Sequence, residues 1–396
     1  MRIIATPADG INTWKNYGEY SINKLKTISL GGITPKEFLR DYWQKQPLLV
    51  RNALPDFKGL LTRDELMELA CDEDAQSRLV IQRKGKWHLT HGPLSNDDLA
   101  RLPKKQWTLL VQDVNHFLPS ARDLLSKFCF IPHARLDDLM VSYAPKGGGI
   151  GPHFDSYDVF LLQGMGSRRW QISAQQDDQF IADAPLRILK NFQPEQEWIL
   201  ESGNMLYLPP KYAHNGIAED DCMTYSIGFR APSHHELITQ FLVYLQDNVE
   251  MEGRYSDPDL QLQSHPSKIS TAMQSQVNST LQKIKWNRND IENFLGIYLS
   301  EPKSHVFFDQ PVKPLAPHLF LQQIKKNGVQ LNLKSRMLSG DNKLFINGEA
   351  YKVSANAYKT LIQLADNQEL SPSHIDEEIG SILYEWYVSG YIISKN

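Results

Sequence analysis

The sequence predicts a mainly β unit of sandwich or barrel type, followed by a helical segment and a small α+β unit. Three observations carry this expectation. Short β-rich runs separated by turn residues recur between about residues 79 and 229. Helical periodicity replaces them from His234 onward, and a hairpin signal with two further helices follows a proline-marked linker. At 396 residues the chain is longer than one core ordinarily spans, so several domains are expected.

Residues 1–33 show weak periodicity and read as an N-terminal extension. A first domain is expected over 34–232. It opens with a helix: Thr34 is suited to the N-cap, Pro35 to the first helical position, and Phe38, Leu39, Tyr42 and Trp43 follow at helical spacing. Pro47 to Arg51 reads as a strand. Thr62 caps a second helix, and Glu65 three residues on makes a capping-box pattern. The strand-like runs are then 79–82, 107–112, 138–143, 159–163, 169–173, 198–200, 205–208 and 223–229.

A helical domain is expected over 233–310. Leu237, Phe241, Leu242 and Leu245 share one face; Met273, Val277, Leu281 and Ile284 continue at three- and four-residue steps; Ile291, Phe294, Leu295, Tyr298 and Leu299 form another stripe. Nothing ties these faces to the β unit, and a partner subunit would suit them. Pro302, Pro311, Pro314 and Pro317 mark a linker into a last unit over 311–396. There Leu344 to Val353 reads as a hairpin turning on Asn347-Gly348, Ser354 caps a helix, and a final helix with Leu383 and Trp386 ends at Gly390. The pattern is that of a winged helix.

Composition narrows the function. Hydrophobic residues make up 41% and charged residues 22%, as in soluble globular proteins, and no run of about 18 apolar residues suggests a membrane span. The start, Met1-Arg2-Ile3-Ile4-Ala5, is too short an apolar run for a secretory signal, so a cytoplasmic protein is expected. Cys71, Cys129 and Cys222 are isolated, which argues against a zinc ribbon or dithiol redox site. A net charge of −4 does not favour bulk nucleic-acid binding, and Asp366, Glu369, Asp376, Glu377 and Glu378 make the last unit a poor phosphate-binding surface, so no direct DNA binding is expected.

The chemistry centres on His153-Phe154-Asp155, which follows Gly147-Gly148-Gly149-Ile150-Gly151-Pro152. In extended backbone, residues i and i+2 point to the same face, so His153 and Asp155 converge. A His-x-Asp pair alone is common and most often structural. Its glycine-rich approach, its β-rich surroundings and a distant partner distinguish this one. The partner is His214, which follows Met205 to Leu208, Pro209 and Pro210. Two imidazoles and one carboxylate on one face of a metal form the facial triad of non-haem iron oxygenases, with positions left open for a co-substrate and dioxygen.

These segments together, Gly-Pro-His-Phe-Asp (151–155), Val-Phe-Leu-Leu-Gln-Gly-Met-Gly-Ser-Arg-Arg-Trp (159–170) and Gly-Asn-Met-Leu-Tyr-Leu-Pro-Pro-Lys-Tyr-Ala-His (203–214), resemble the JmjC (cupin-type) 2-oxoglutarate oxygenases. More narrowly the chain is similar to the bacterial ribosomal oxygenases, a likeness that extends through 42–51, His91-Gly92-Pro93 and 255–258. The resemblance implies a double-stranded β-helix (jelly-roll) catalytic domain, a helical dimerisation domain and a C-terminal winged helix. It implies iron(II) held by His153, Asp155 and His214, with 2-oxoglutarate and O2 as co-substrates. The expected reaction is hydroxylation of an arginine on a large-subunit ribosomal protein, the sixteenth in the usual count. Arg168 is the implied anchor of the co-substrate's distal carboxylate, while Arg169 would face the other side of its strand into surface ion pairs. Ser142, Tyr143 and Thr224 are expected beside Arg168, although family members often carry asparagine at the position of Thr224. Asp138 is the implied partner of the substrate cation, with Asp137 and Asp158 as rivals and with Met140 and Ser226 nearby. Tyr157 is a candidate for orienting the ligands.

Three other readings compete. A hydroxylase or demethylase of another protein residue would use the same triad. A winged-helix regulator with a vestigial cupin would not need the triad intact, and a redox-inert zinc or manganese cupin would not need Arg168.

Overall fold

The computed structural model describes residues 27–395. The expectation for residues 1–26 of the N-terminal extension lies outside the described residues.

Local signals set the first elements. In α1 (Pro35–Asp41) and α2 (Arg63–Ala70) the N-caps Thr34 and Thr62 each accept from a backbone N–H three residues on, and Glu37 and Glu65 reciprocate. These helices flank β1 (Leu48–Val50). Then come β2 (Ser77–Arg83), β3 (Lys86–His91), the short α3 (Asn96–Ala100), β4 (Trp107–Val111) and α4 (Pro119–Ser126). The strands β5 (Leu136–Ala144), β6 (His153–Phe154), β7 (Asp158–Met165), β8 (Ser167–Ser173), β9 (Gln196–Glu201), β10 (Met205–Leu208), β11 (Ala213–Ala218) and β12 (Cys222–Phe229) complete the β unit.

The strands form two antiparallel sheets, an eight-stranded one ordered β1-β10-β7-β12-β5-β4-β2-β3 and a four-stranded one ordered β6-β11-β8-β9. Val159, Leu161, Leu206 and Leu208 of the large sheet pack with Trp170, Ile172 and Leu200 of the small one, so the sheets face each other. The other face of the large sheet, with Phe160, Leu162, Tyr207, Tyr225 and Ile227, packs on Phe38, Leu66, Leu69 and Leu124 of the helices. Strands covered on both faces read as continuous apolar runs, which is why β7, β10 and β12 stand out in the sequence.

Beyond the β unit, α5 (His234–Asn248), α6 (Thr271–Leu281) and α7 (Arg288–Ser300) follow. Phe241 of α5 meets Phe294 of α7 edge to face, and Tyr244 packs against the same ring at a tilt. The last unit contains α8 (Pro317–Asn327), β13 (Val329–Leu331), β14 (Met337–Gly340), β15 (Lys343–Ile346), β16 (Glu349–Lys352), α9 (Ala355–Asn367), β17 (Glu369–Leu370), α10 (Glu377–Val388) and β18 (Ile392–Ser394). Asn347 and Gly348 both take positive φ, 52° and 87°, as a tight hairpin between β15 and β16 requires. Phe320, Leu344, Ile346, Leu361, Leu383 and Trp386 form the core of this winged helix. It meets the β unit directly: the Arg122 guanidinium donates to the Leu331 carbonyl at 2.8 Å, and that of Arg336 to the Leu136 carbonyl. Among the described residues no helix is long and apolar enough to cross a membrane.

The sequence reading missed several elements. Pro317, assigned there to the linker, is instead the first residue of α8. β11 was not anticipated because Ala-His-Asn-Gly-Ile-Ala lacks the branched and aromatic residues that mark strands. β6 is too short to show a pattern.

Candidate active site

A cavity of about 270 Å3 opens between the sheets, lined from β2, β4, β5, β7, β8, β11 and the glycine-rich loop. The loop reaches it because its glycines permit close backbone approach. A Cβ on Gly149 would sit 2.4 Å from the Gly216 carbonyl oxygen of β11, and one on Gly216 would sit 2.7 Å from the Trp170 ring. This stacking delivers β6 alongside β11, where His153 and His214 become direct cross-strand partners.

The two imidazole rings lie 4.2 Å apart between centroids. Asp155 faces both: its Oδ1 is 3.8 Å from His153 Nε2 and its Oδ2 is 3.5 Å from His214 Nε2. One ligand atom from each of the three residues falls within 4.8 Å of the other two, the one such His, Cys, Asp or Glu group among the described residues. Each histidine is also oriented from behind. His153 Nδ1 lies 2.9 Å from the Gly151 carbonyl oxygen and His214 Nδ1 lies 3.0 Å from that of Tyr212. A carbonyl only accepts, so Nδ1 carries the proton and Nε2 presents its lone pair to the shared point. Burial, with His153 adding to it, pushes His214 down to about 4, which keeps it a neutral ligand at physiological pH. Two nitrogens and a carboxylate are a donor set that fits iron(II).

Arg168 enters the cavity from β8, in register with Ala218 of β11. It is 5% exposed, and one terminal nitrogen donates to Ser142 Oγ at 3.3 Å. Its Nε and its other terminal nitrogen are buried without a hydrogen-bond partner. A buried guanidinium with free donors aimed into a cavity fits a carboxylate ligand. Arg169 points the other way and pairs with Glu197 and Glu219.

The other expected residues divide. Ser142, Met140, Asp138 and Ser226 line the cavity, from neighbouring positions on β5 and β12. Asp137 and Tyr157 line it too. Three do not. Thr224 lies on the face of Ser226, but its hydroxyl donates to Gln163 Oε1 at 3.0 Å and it is not among the lining residues. Tyr143 faces the main core and donates to Asp221 Oδ2 at 2.9 Å. Asp158 is fully buried away from the cavity, where Tyr207, Gln44 and Arg135 hold it. Arg78, Thr108, Leu110 and Gln112 also line the cavity and were missed, because only the sheet order brings β2 and β4 beside β5.

With the geometry in place, the chain matches the JmjC domain family over residues 123–237 and the ROXA-like winged helix family over 283–392. It is 32% identical to the ribosomal protein uL16 3-hydroxylase of Escherichia coli (strain K12) over 345 residues, 87% of this chain and 91% of that protein. The chain belongs to the JmjC-domain ribosomal oxygenases. A probable ribosomal oxygenase of Haemophilus influenzae is 43% identical over 234 residues, 58% of this chain and 56% of that protein. Among solved structures, E. coli ycfD superposes with a TM-score of 0.82 at 31% identity, covering 93% of this chain and 99% of that one. The same ribosomal oxygenase in complex with cobalt and 2-oxoglutarate superposes with a TM-score of 0.79 at 30% identity, with the same coverage. The family fold is thus the double-stranded β-helix with a winged helix.

Proposed function

We propose that this ribosomal oxygenase is an iron(II)- and 2-oxoglutarate-dependent dioxygenase that hydroxylates an arginine side chain of the large-subunit ribosomal protein uL16. The observation that carries the reading is the pairing of the His153, Asp155 and His214 cluster with the buried, partly unpartnered Arg168 in one cavity. The related uL16 3-hydroxylase from E. coli supports the substrate, and the similar structure of the E. coli ribosomal oxygenase with cobalt and 2-oxoglutarate supports the cofactors.

His153, Asp155 and His214 hold the metal, and Arg168, with Ser142 beside it, holds the distal carboxylate of 2-oxoglutarate. When bound, the metal and co-substrate insert one atom of O2 into a C–H bond while 2-oxoglutarate becomes succinate and carbon dioxide. The chain's own task is placement and exclusion of water. Asp138 receives the substrate guanidinium, Met140 packs along the aliphatic stem, and Ser226 supplies a hydroxyl at the cavity wall. A buried carboxylate in the same cavity as the triad favours a cationic side chain over the neutral or anionic side chains that another hydroxylase would take.

The helical segment serves a second copy of this chain. α5 leaves Ile238 and Leu242 59% and 60% exposed, and α6 leaves Met273, Val277 and Leu281 exposed, an apolar surface that suits a homodimer. A ribosomal substrate implies a cytoplasmic enzyme.

The test is incubation of the purified protein with iron(II), 2-oxoglutarate and uL16, followed by peptide mass spectrometry. The expected product carries about 16 Da, one oxygen, on a single arginine. Succinate formed with another protein while uL16 stays unmodified would favour a different hydroxylation target.

A further inference from the structure

The β5 wall of the cavity contains more negative charge than one substrate cation requires. Asp137 and Asp138 line it on β5, and Asp113, 2% exposed, stands directly behind at the end of β4. The Asp113 backbone N–H donates to Asp138 Oδ2 at 3.4 Å, and Asp113 itself holds a left-handed conformation with φ 53°. A non-glycine residue kept in that region is a sign of local constraint. Gly228 of β12 leaves the room Asp138 needs, since a Cβ there would approach its Oδ1 to 3.3 Å.

Three carboxylates gathered around one point, two of them buried, cannot all stay ionised without a cation. One arrives from outside the β unit. Lys303 lies in the linker between α7 and α8, and its Nζ is 2.8 Å from Asp113 Oδ1, 3.5 Å from Asp137 Oδ1 and 3.8 Å from Asp138 Oδ2. The same linker sends His305, whose Nε2 is 3.4 Å from the second oxygen of Asp113. Lys303 is not among the residues lining the cavity, so it touches the carboxylates from behind and leaves their cavity side open.

We propose that Lys303 is a positioning residue for the substrate cation: it clamps Asp113, Asp137 and Asp138 together and keeps Asp138 an ionised carboxylate facing the cavity. The inference rests on the reading of Asp138 as the guanidinium acceptor. It makes the linker to the winged helix a working part of the substrate pocket, and gives that unit a role that needs no nucleic acid.

The charge balance is consistent across the elements that surround Asp138. Asp137 on β5 and Asp113 after β4 oppose its ionisation, and Lys303 favours it. Arg230 after β12 and Arg336 of the winged helix reach Asp137 at 3.6 and 3.9 Å. Arg78 of β2 contacts the neighbouring Met140, Tyr157 lines the same cavity, and His116 and His305 lie around Asp113. Burial raises Asp138, Lys303 pulls it down, and Asp113 and Asp137 push it up again, which together leave it at about 6. Burial works against the Lys303 ammonium, but the three carboxylates more than offset it and hold it above its ordinary value. At neutral pH Asp138 is therefore mostly ionised with Lys303 present. Without Lys303 it would take up a proton and lose its grip on a guanidinium.

The experiment compares wild type, Lys303→Met and Lys303→Arg by two readouts. The first follows the side-chain carboxyl resonance of Asp138 through pH in protein labelled with 13C-aspartate, assigned by its loss in Asp138→Asn. The second is the pH profile of KM and kcat for uL16. Lys303→Met is expected to raise the Asp138 titration by about one unit or more; a one-unit rise from about 6 raises KM by about twofold at pH 7 and by nearly tenfold toward pH 5, since one unit is a tenfold change in ionised fraction only below the pKa. The KM defect should exceed any change in kcat and shrink as the pH is raised toward 9, and Lys303→Arg should restore most of the effect. A folded Lys303→Met with an unmoved Asp138 titration, or a KM defect equal at every pH, overturns the proposal. Should Lys303→Met fail to fold, Asp113→Asn tests the same cluster in the opposite direction. Removing the competing carboxylate should move the Asp138 titration to lower pH, and an unmoved titration overturns the proposal. If wild type ignores uL16, the substrate reading fails, and the resonance still decides the role of Lys303.

Discussion

Replacing Arg168 by methionine separates binding from stability in a way few cavity residues allow. In the folded protein the guanidinium is 5% exposed, makes one long hydrogen bond to Ser142, and leaves Nε and a terminal nitrogen unpartnered. The 2-oxoglutarate carboxylate would fill those vacant donors with two charge-assisted hydrogen bonds, worth about 1.5–3 kcal/mol each. Truncating one partner of such a buried charge pair costs roughly 2–5 kcal/mol. A central loss of about 3–4 kcal/mol weakens 2-oxoglutarate binding by roughly 100- to 1,000-fold. Each unsatisfied buried donor, by contrast, costs the free protein about 1–3 kcal/mol, and methionine removes both. Arg168→Met is thus expected to lose co-substrate affinity, measured by anaerobic calorimetry with iron(II) present, while its melting temperature stays at or above that of wild type. Unchanged affinity would refute the assignment of Arg168. A loss of affinity matched by a large fall in melting temperature would show that the guanidinium holds the fold together.

Three further outcomes follow from the same structure. Asp138→Asn keeps the shape of the wall but removes its charge, and KM for uL16 in a steady-state hydroxylation assay should rise by roughly 100-fold, from about 3 kcal/mol of lost charge pairing. His116 is pushed down by burial from its ordinary value of 6.5 to about 4, so only the unfolded chain takes up its proton between those values. Stability should therefore fall as the pH drops from 6.5 toward 4, and His116→Gln should flatten that slope in denaturant titrations. Ile238→Glu with Leu242→Glu on α5 should convert a homodimer to a monomer by light scattering, and a wild type that is already monomeric would remove the dimer proposal.

The parts of the site legible in the sequence are those that depend on short-range geometry. His153 and Asp155 converge because alternate residues of extended backbone share a face, and the glycines before them mark the close approach to β11. His214 is visible only through its setting, a strand and a double proline, and its pairing with His153 belongs to the sheet rather than to either segment. Thr224 shows the limit of strand alternation. It faces the correct side, yet Gln163, which is near it only across the β7–β12 pairing, takes its hydroxyl. Asp158 follows the metal segment in sequence, but a turn carries it into a buried pairing with Arg135 and Tyr207. Lys303 could not be placed at all from the sequence, since a lysine in a proline-marked linker carries no sign that the linker folds back onto β4 and β5.

The most direct test of the account is an anaerobic titration of the purified protein with iron(II) and 2-oxoglutarate, followed by visible absorption. The account predicts the weak charge-transfer band of a metal-chelated 2-oxo acid, saturating at one iron per chain and lost in a folded His153→Ala. No band in the folded wild-type protein, or a band that survives in His153→Ala, would contradict it.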